Sequence, residues 1–315
     1  MRRLIVLGLT FSFCCAMALL ALLVVIQKQG TAPPANVVLE TDIVYGRGGA
    51  EPLKLDLTRP KQGAGPFPAI VFVHGGGWVG GSKEDFRPFM VPFTQKGIVC
   101  ISVNYRLAPK SVFPAQIEDV KCAVRWLHAN AEKYHVDPKR ILAFGGSAGA
   151  HLVALLGTTN GTKMWDGSGG NAGQSSTISA MVCMSGPYDL SLGYRDSVTQ
   201  NKQEGGAVRG MLESFIGGNL EKREAQYRES SPILYASKQT VPALLTHGTA
   251  DPLVPIKQTE VFTARLQSVG AEVEFMRIEG AGHADFGPKP EEQLNKVIAF
   301  VQKQLLPRSK PQDHK

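Results

Sequence analysis

The stretch ILAFGGSAGAHLVALL, residues 141–156, decides the fold. Its first five residues form a short unbroken apolar run of the kind found in strands buried on both faces. Residues 148–156 continue as a helix-forming segment, and between the two lie Gly145, Ser147 and Gly149 in the pattern G-x-S-x-G. Strand, tight turn and helix in that order are the context in which this motif builds a nucleophile elbow. The glycines have a steric reason: a side chain at either place would collide with the neighbouring strand or helix. The turn then holds Ser147 at the carboxyl end of the strand, and the helix beginning at Ala148 points its positive dipole end toward developing negative charge. A mere glycine turn is the competing reading, and the flanking strand and helix speak against it.

Working outward, short apolar runs alternate with helical periodicity, which predicts an α/β fold with a mostly parallel central sheet and helices on both faces. The strands are expected at 69–73 (AIVFV), 98–103 (IVCISV), 141–145, 180–185 (AMVCMS), 243–247 (ALLTH) and 273–278 (VEFMRI). Between the second and third, Ile117, Val120, Val124, Leu127 and Ala131 share one face of a crossover helix, and Asp137 and Pro138 read as the loop after it. Upstream, VVLETDIVY (37–45) and LKLDL (53–57) alternate as an antiparallel hairpin about a turn at Gly46–Gly49. Two segments break the plan, 160–177 and 191–231, the latter with a short helical stretch at 208–216. Long irregular insertions of this kind are expected to be lids or binding loops.

A serine hydroxyl needs an adjacent base, usually a histidine whose tautomer a carboxylate fixes. LLTHGTADPLVP places Asp251 in the loop after one predicted strand, and MRIEGAGHADF places His283 in the loop after the next. The chain order Ser, Asp, His is the one this arrangement uses. Asp285 and Glu279 flank His283 and rival Asp251. Among other histidines, His74 belongs to a glycine loop, His151 lies one turn into the elbow helix and His247 ends a strand; His128, His135 and His314 have no carboxylate-bearing strand-end loop nearby. The second motif, VFVHGGGWVGG, follows a buried strand with three glycines whose amides can approach a substrate oxygen unobstructed. Gly76 and Gly77, with the amide of Ala148, are the expected oxyanion-hole donors. A phosphate loop is the alternative, but the lysine of G-x-x-x-x-G-K-[ST] is missing.

The remainder sets bounds. The 315 residues comprise 34 Lys and Arg against 27 Asp and Glu, a net +7. Arg2, Arg3 and Lys28 supply three of those charges and no acid precedes residue 31, so the body is mildly basic and its charges are interspersed. That excludes the footprint of a nucleic-acid binder. Leu4–Ile26 is a run without charge preceded by Arg2 and Arg3, long enough to span a bilayer. The expected organisation is an N-terminal membrane anchor or signal peptide over 1–30, a linker over 31–36, one catalytic domain over 37–306 and a basic tail over 307–315. Either version of the first segment leaves its positive end in the cytoplasm and places the body in the periplasm or outside, anchored or secreted. Membrane contact is expected only through that segment if it is uncleaved. Cys14 and Cys15 lie within it; Cys100, Cys122 and Cys183 read as small buried thiols, with one disulfide, for instance Cys100–Cys122, left open for an oxidising compartment. No His or Cys cluster has ligand spacing, so no metal or other cofactor is expected.

Taken together, HGGGW (74–78), NYRLAP (104–109), FPAQIEDV (113–120), GGSAGAHL (145–152), HGTADPLVP (247–255) and GAGH (280–283) resemble the α/β-hydrolase esterases related to hormone-sensitive lipase. Closest are the bacterial esterases that include feruloyl and acetylxylan esterases. The resemblance runs over about residues 37–305. It implies an α/β-hydrolase fold, an internal Arg106–Asp119 pair, and Trp78 and Tyr188 in the acyl pocket, for which aromatic packing is the ordinary alternative. Many relatives of hormone-sensitive lipase carry Asp before the serine and an N-terminal helical cap; here Gly146 and a strand hairpin stand there, which points away from lipid substrates. The expected activity is hydrolysis of small-molecule esters, short-chain, aryl or carbohydrate, by Ser147, His283 and Asp251. Formamide or peptide hydrolysis by the same groups is the second reading, and a non-catalytic binding module the third.

Overall fold

The computed structural model describes residues 33–199 and 202–305. The expected anchor or signal segment, Cys14, Cys15 and the basic tail lie outside these residues. Among the described residues no helix is long and apolar enough to cross a membrane.

Eight strands form one sheet: β1 (Val37–Gly48), β2 (Glu51–Pro60), β3 (Phe67–Val73), β4 (Val99–Val103), β5 (Val136–Gly146), β6 (Ala180–Met184), β7 (Ala243–Gly248) and β8 (Val273–Ile278). Their order is β1-β2-β4-β3-β5-β6-β7-β8. The first two strands pair antiparallel with each other, β2 runs antiparallel to β4, and every pairing from β4 to β8 is parallel. The helices are α1 (Arg87–Thr94), α2 (Ala115–Ala129), α3 (Ala148–Thr158), α4 (Leu190–Thr199), α5 (Lys202–Ile216), α6 (Leu220–Glu229), α7 (Lys257–Ser268) and α8 (Pro290–Leu305).

The unbroken apolar runs behave as their composition requires, since every residue of β4, β6 and β7 is buried. Alternate residues feed two cores: Val71, Ile101, Ala143 and Cys183 face one, whereas Ile70, Phe72, Leu142 and Phe144 face the other. Full burial of such a side chain stabilises by about 2 kcal/mol, so the central strands fix the register that positions their ends. On the hairpin side, fully buried Asp56 on β2 takes Lys83 at 3.0 Å and is also paired with Arg87. The two cations neutralise it where it could not remain unpaired.

Several boundaries differ from the sequence reading. The hairpin turn is Gly49–Ala50, and Gly46 to Gly48 belong to β1. Gly46 is bare for another reason: a Cβ there would lie 2.6 Å from Cys122 Sγ and 2.8 Å from the Gly169 carbonyl oxygen. Asp137 and Pro138 fall within β5, where a register shift between Phe67 and Ala69 on β3 accommodates the extra length. Segment 160–177 is tied down. Lys121 of α2, buried, donates from Nζ to the carbonyls of Thr162 at 2.9 Å and Met164 at 2.6 Å, and the Arg47 amide of β1 donates to Gly169 O at 2.8 Å. Segment 191–231 is far more helical than its polar composition suggests, carrying α5, α6 and most of α4. Cys100, Cys122 and Cys183 are free and buried, so the Cys100–Cys122 bridge is absent.

Candidate active site

Ser147 sits between β5 and α3 with φ 55 and ψ −122, a conformation disfavoured for any residue with a side chain. The elbow is tight enough to need both glycines. A Cβ on Gly145 would run into the Gly149 backbone, and one on Gly149 into the carbonyl oxygens of Val73 and His74 at the end of β3. Gly146 is different, because a Cβ there would meet only Phe86 Cζ at 3.7 Å. The Ser147 amide donates to Met184 O at 2.8 Å, which ties the elbow to the end of β6.

Because β5, β7 and β8 are parallel, the loops leaving their carboxyl ends open on one edge of the sheet, and there the three singled-out side chains meet. The Ser147 hydroxyl donates to His283 Nε2 at 2.9 Å, and His283 Nδ1–H donates to Asp251 Oδ2 at 2.7 Å. The His283 side chain is 14% exposed and that of Asp251 fully buried. Burial alone would raise the Asp251 pKa, but hydrogen bonds from His247 and His283 hold it well below the usual carboxylate range. Its Oδ1 accepts from the amides of Leu253 and Val254, both at 2.9 Å. The rival acids point elsewhere: Asp285 Oδ1 accepts from the Gly287 amide at 2.9 Å and Glu279 takes the Thr249 hydroxyl at 3.2 Å.

The glycine loop after β3 is shaped by positive φ at Gly76 (97) and Gly77 (59). Among the described residues the amides of Gly76, Gly77 and Ala148 donate to no protein acceptor, which leaves them available for a ligand oxygen. The loop is buttressed by Tyr105, whose hydroxyl donates to His74 O at 3.0 Å and whose ring stacks on the His74 imidazole at 4.2 Å. Arg106, next in the chain, pairs with buried Asp119 through Nε at 2.9 Å and Nη2 at 2.8 Å, as the resemblance implied.

Trp78 and Tyr188 do not line an open pocket. Tyr188 is fully buried and stacks on Phe262 at 4.4 Å. Trp78 is 3% exposed, stacks on Phe215 of α5 at 4.3 Å and donates from Nε1 to His151 Nδ1 at 3.2 Å. Both take the packing alternative, since large apolar rings gain more from core contact than from the rim of a site. His151 then donates from Nε2 to Ser230 O at 2.7 Å, and burial pulls its pKa down to about 4. It thereby joins the glycine loop, the elbow helix and the end of α6.

Sequence reasoning missed two supports. His247 lies on Asp251, with Nε2 3.1 Å from Oδ2; the i, i+4 spacing in HGTAD was its only signal. Ser185, directly after β6, accepts the Ala284 amide at 3.1 Å and so fixes the residue after His283; nothing in the apolar run before it announced that. No group of three or more potential metal ligands occurs among the described residues.

Residues 55–266 match the BD-FAE family profile. The chain belongs to that family. It is accordingly an α/β-hydrolase of the esterase branch related to hormone-sensitive lipase. Over 249 residues it is 32% identical to esterase LipQ of Mycobacterium tuberculosis, covering 78% of this chain and 56% of the relative. Over 246 residues it is 29% identical to the isoprenylcysteine alpha-carbonyl methylesterase ICME of Arabidopsis thaliana, covering 77% and 56%. The chain thus spans a little over half the length of these curated relatives. Among solved structures it is similar to esterase Est2 of Thermogutta terrifontis, with TM-score 0.70, 26% identity and coverage of 88% of this chain and 97% of that one. A bifunctional GH43-CE protein of Bacteroides eggerthii gives TM-score 0.74 and 31% identity, covering 84% of this chain and 38% of that one.

Proposed function

We propose that the protein is a serine carboxylic-ester hydrolase acting through an acyl-enzyme. The observation that carries this reading is the continuous relay Ser147–His283–Asp251, at 2.9 and 2.7 Å, beside unpaired backbone amides. His283 Nε2 takes the proton as Ser147 Oγ attacks the ester carbonyl, and Asp251 holds the imidazole with Nδ1 protonated and stabilises the imidazolium. The amides of Gly76, Gly77 and Ala148 receive the negative oxygen of the tetrahedral intermediate, aided by the amino end of α3. His283 returns its proton to the departing alcohol. A water molecule then gives a proton to His283 while attacking the acyl-enzyme, and the acid leaves as Ser147 recovers its hydrogen.

Short acyl groups are the proposed substrates, on alkyl, aryl or carbohydrate alcohols. Est2 is described bound to propionate and to butyrate, at 27% and 26% identity, and ICME is named for a methyl ester. The charge-free segment Leu4–Ile26 supports export of the body, anchored or released; mass spectrometry of the mature N-terminus distinguishes the two. The activity is tested with p-nitrophenyl acetate and a fluorophosphonate probe. Wild type should turn over and be labelled on Ser147, and Ser147→Ala should do neither while melting normally. Turnover retained by Ser147→Ala, or a wild type that cleaves formamides or peptides and no ester, rejects the proposal.

A further inference from the structure

Asp251 Oδ2 is shared by two imidazoles, although the reaction uses only one. His247, the fifth residue of β7, is buried with its side chain fully enclosed. Its Nε2 faces two acceptors, the Val254 carbonyl at 2.8 Å and Asp251 Oδ2 at 3.1 Å. A nitrogen between a carbonyl and a carboxylate must carry the proton, because two acceptors would otherwise repel its lone pair. The other nitrogen, Nδ1, meets the Thr259 hydroxyl of α7 at 2.6 Å, which can donate to it and so lock this tautomer. With the two loop amides on Oδ1 and His283 on Oδ2, the buried carboxylate of Asp251 receives three hydrogen bonds, and the His247 Nε2–H lies against Oδ2 at 3.1 Å as a fourth polar contact.

We propose that His247 is a positioning residue for the hydrolysis, clamped by Thr259, that fixes the plane of the Asp251 carboxylate and divides its charge between two imidazoles. The inference rests on the Ser147 reading above. Two consequences follow from the geometry. The carboxylate cannot rotate away from His283 while Oδ1 and Oδ2 are both pinned. Charge drawn from Oδ2 toward His247 is also not available to His283, whose Nε2 faces the Ser147 hydroxyl. The titratable groups acting on Asp251 are His247 and His283. On the face of His283 turned to the nucleophile there is the Ser147 hydroxyl, and Asp285, two residues on, is directed to its own loop.

The test uses the whole protein and p-nitrophenyl acetate over a pH series, with near-ultraviolet circular dichroism to establish folding. His247→Leu should lower kcat by about ten- to a hundred-fold with KM within about two-fold, as loss of one buried donor predicts. It should also move the acid limb of kcat/KM upward, by about half a pH unit. His247→Gln keeps a donor near the Nε2 position and should restore most of kcat and the original limb. Thr259→Val leaves the imidazole but frees its orientation, and should move the limb in the same direction by less; it serves if His247→Leu does not fold. An acid limb that superimposes on wild type in His247→Leu and Thr259→Val overturns the inference, as does a Gln variant no better than Leu. Those failures would leave an active wild type and an inert Ser147→Ala, whereas failure of the esterase reading would appear in those two proteins first.

Discussion

Replacing His151 with Gln should remove about one proton's worth of acid sensitivity from folding. The imidazole has no exposed surface, and its Nδ1 is an acceptor because its partner, the Trp78 indole, can only donate. Burial disfavours the imidazolium and pulls the pKa from 6.5 to about 4, and protonation of Nδ1 would also set two N–H groups against each other. The unfolded chain therefore takes up a proton as the pH drops below 6.5 and the native protein does not until about 4. Stability is full above the upper value, declines through the window and has lost this contribution below the lower one. At about 1.4 kcal/mol per unit the loss totals about 3 kcal/mol. His74, whose pKa burial also lowers, acts in the same direction, so the wild-type slope should exceed one proton. A Gln amide can accept from Trp78 and donate to Ser230 O, which should limit the cost near neutral pH to about 1 kcal/mol. Urea unfolding of both proteins from about pH 7 to about pH 4.5 gives the comparison. The gap between them should close or invert as the pH falls; a constant gap across the series would refute the reasoning.

Asp251→Asn should lower kcat on p-nitrophenyl acetate by about ten-thousand-fold with little change in KM, because the amide can present its N–H to His283 and favour the wrong tautomer. Gly149→Ala should cost at least about 3 kcal/mol or prevent folding, since its methyl would enter the space of the Val73 carbonyl. Gly146→Ala, whose methyl meets only Phe86 at 3.7 Å, should stay within about 0.5 kcal/mol of wild type, and thermal melts of both glycine variants give the comparison.

The central strands were legible because continuous apolar runs have few solutions other than burial on both faces, and β4, β6 and β7 show that burial throughout. Ser147, Asp251 and His283 could be singled out because each stands in a strand-end loop with its own local signature. What could not be read was contact between distant segments. Gly46 looked like turn material, but its bareness answers to Cys122 and Gly169, which the sequence places far away. The resemblance left Trp78 between pocket wall and packed ring, because its partners, Phe215 and His151, lie in other elements. Of the helices of 191–231 only the stretch 208–216, the second half of α5, was legible, because the polar composition of the rest hides a weak apolar face. His247 was set aside as a strand residue, and only the bend of the following loop, which brings Asp251 back over it, shows its role.

The separation of the three loops along the chain has a consequence for synthesis. His283 stands 136 positions beyond Ser147, on the loop that leaves the last strand of the sheet. A ribosome-bound chain can complete the elbow long before it has the residue that would make its serine reactive. On the proposed relay, a nascent chain should therefore stay inert toward ester until residue 283 has emerged, and one cut short before β8 should fail to consume ester even where the elbow has acquired order.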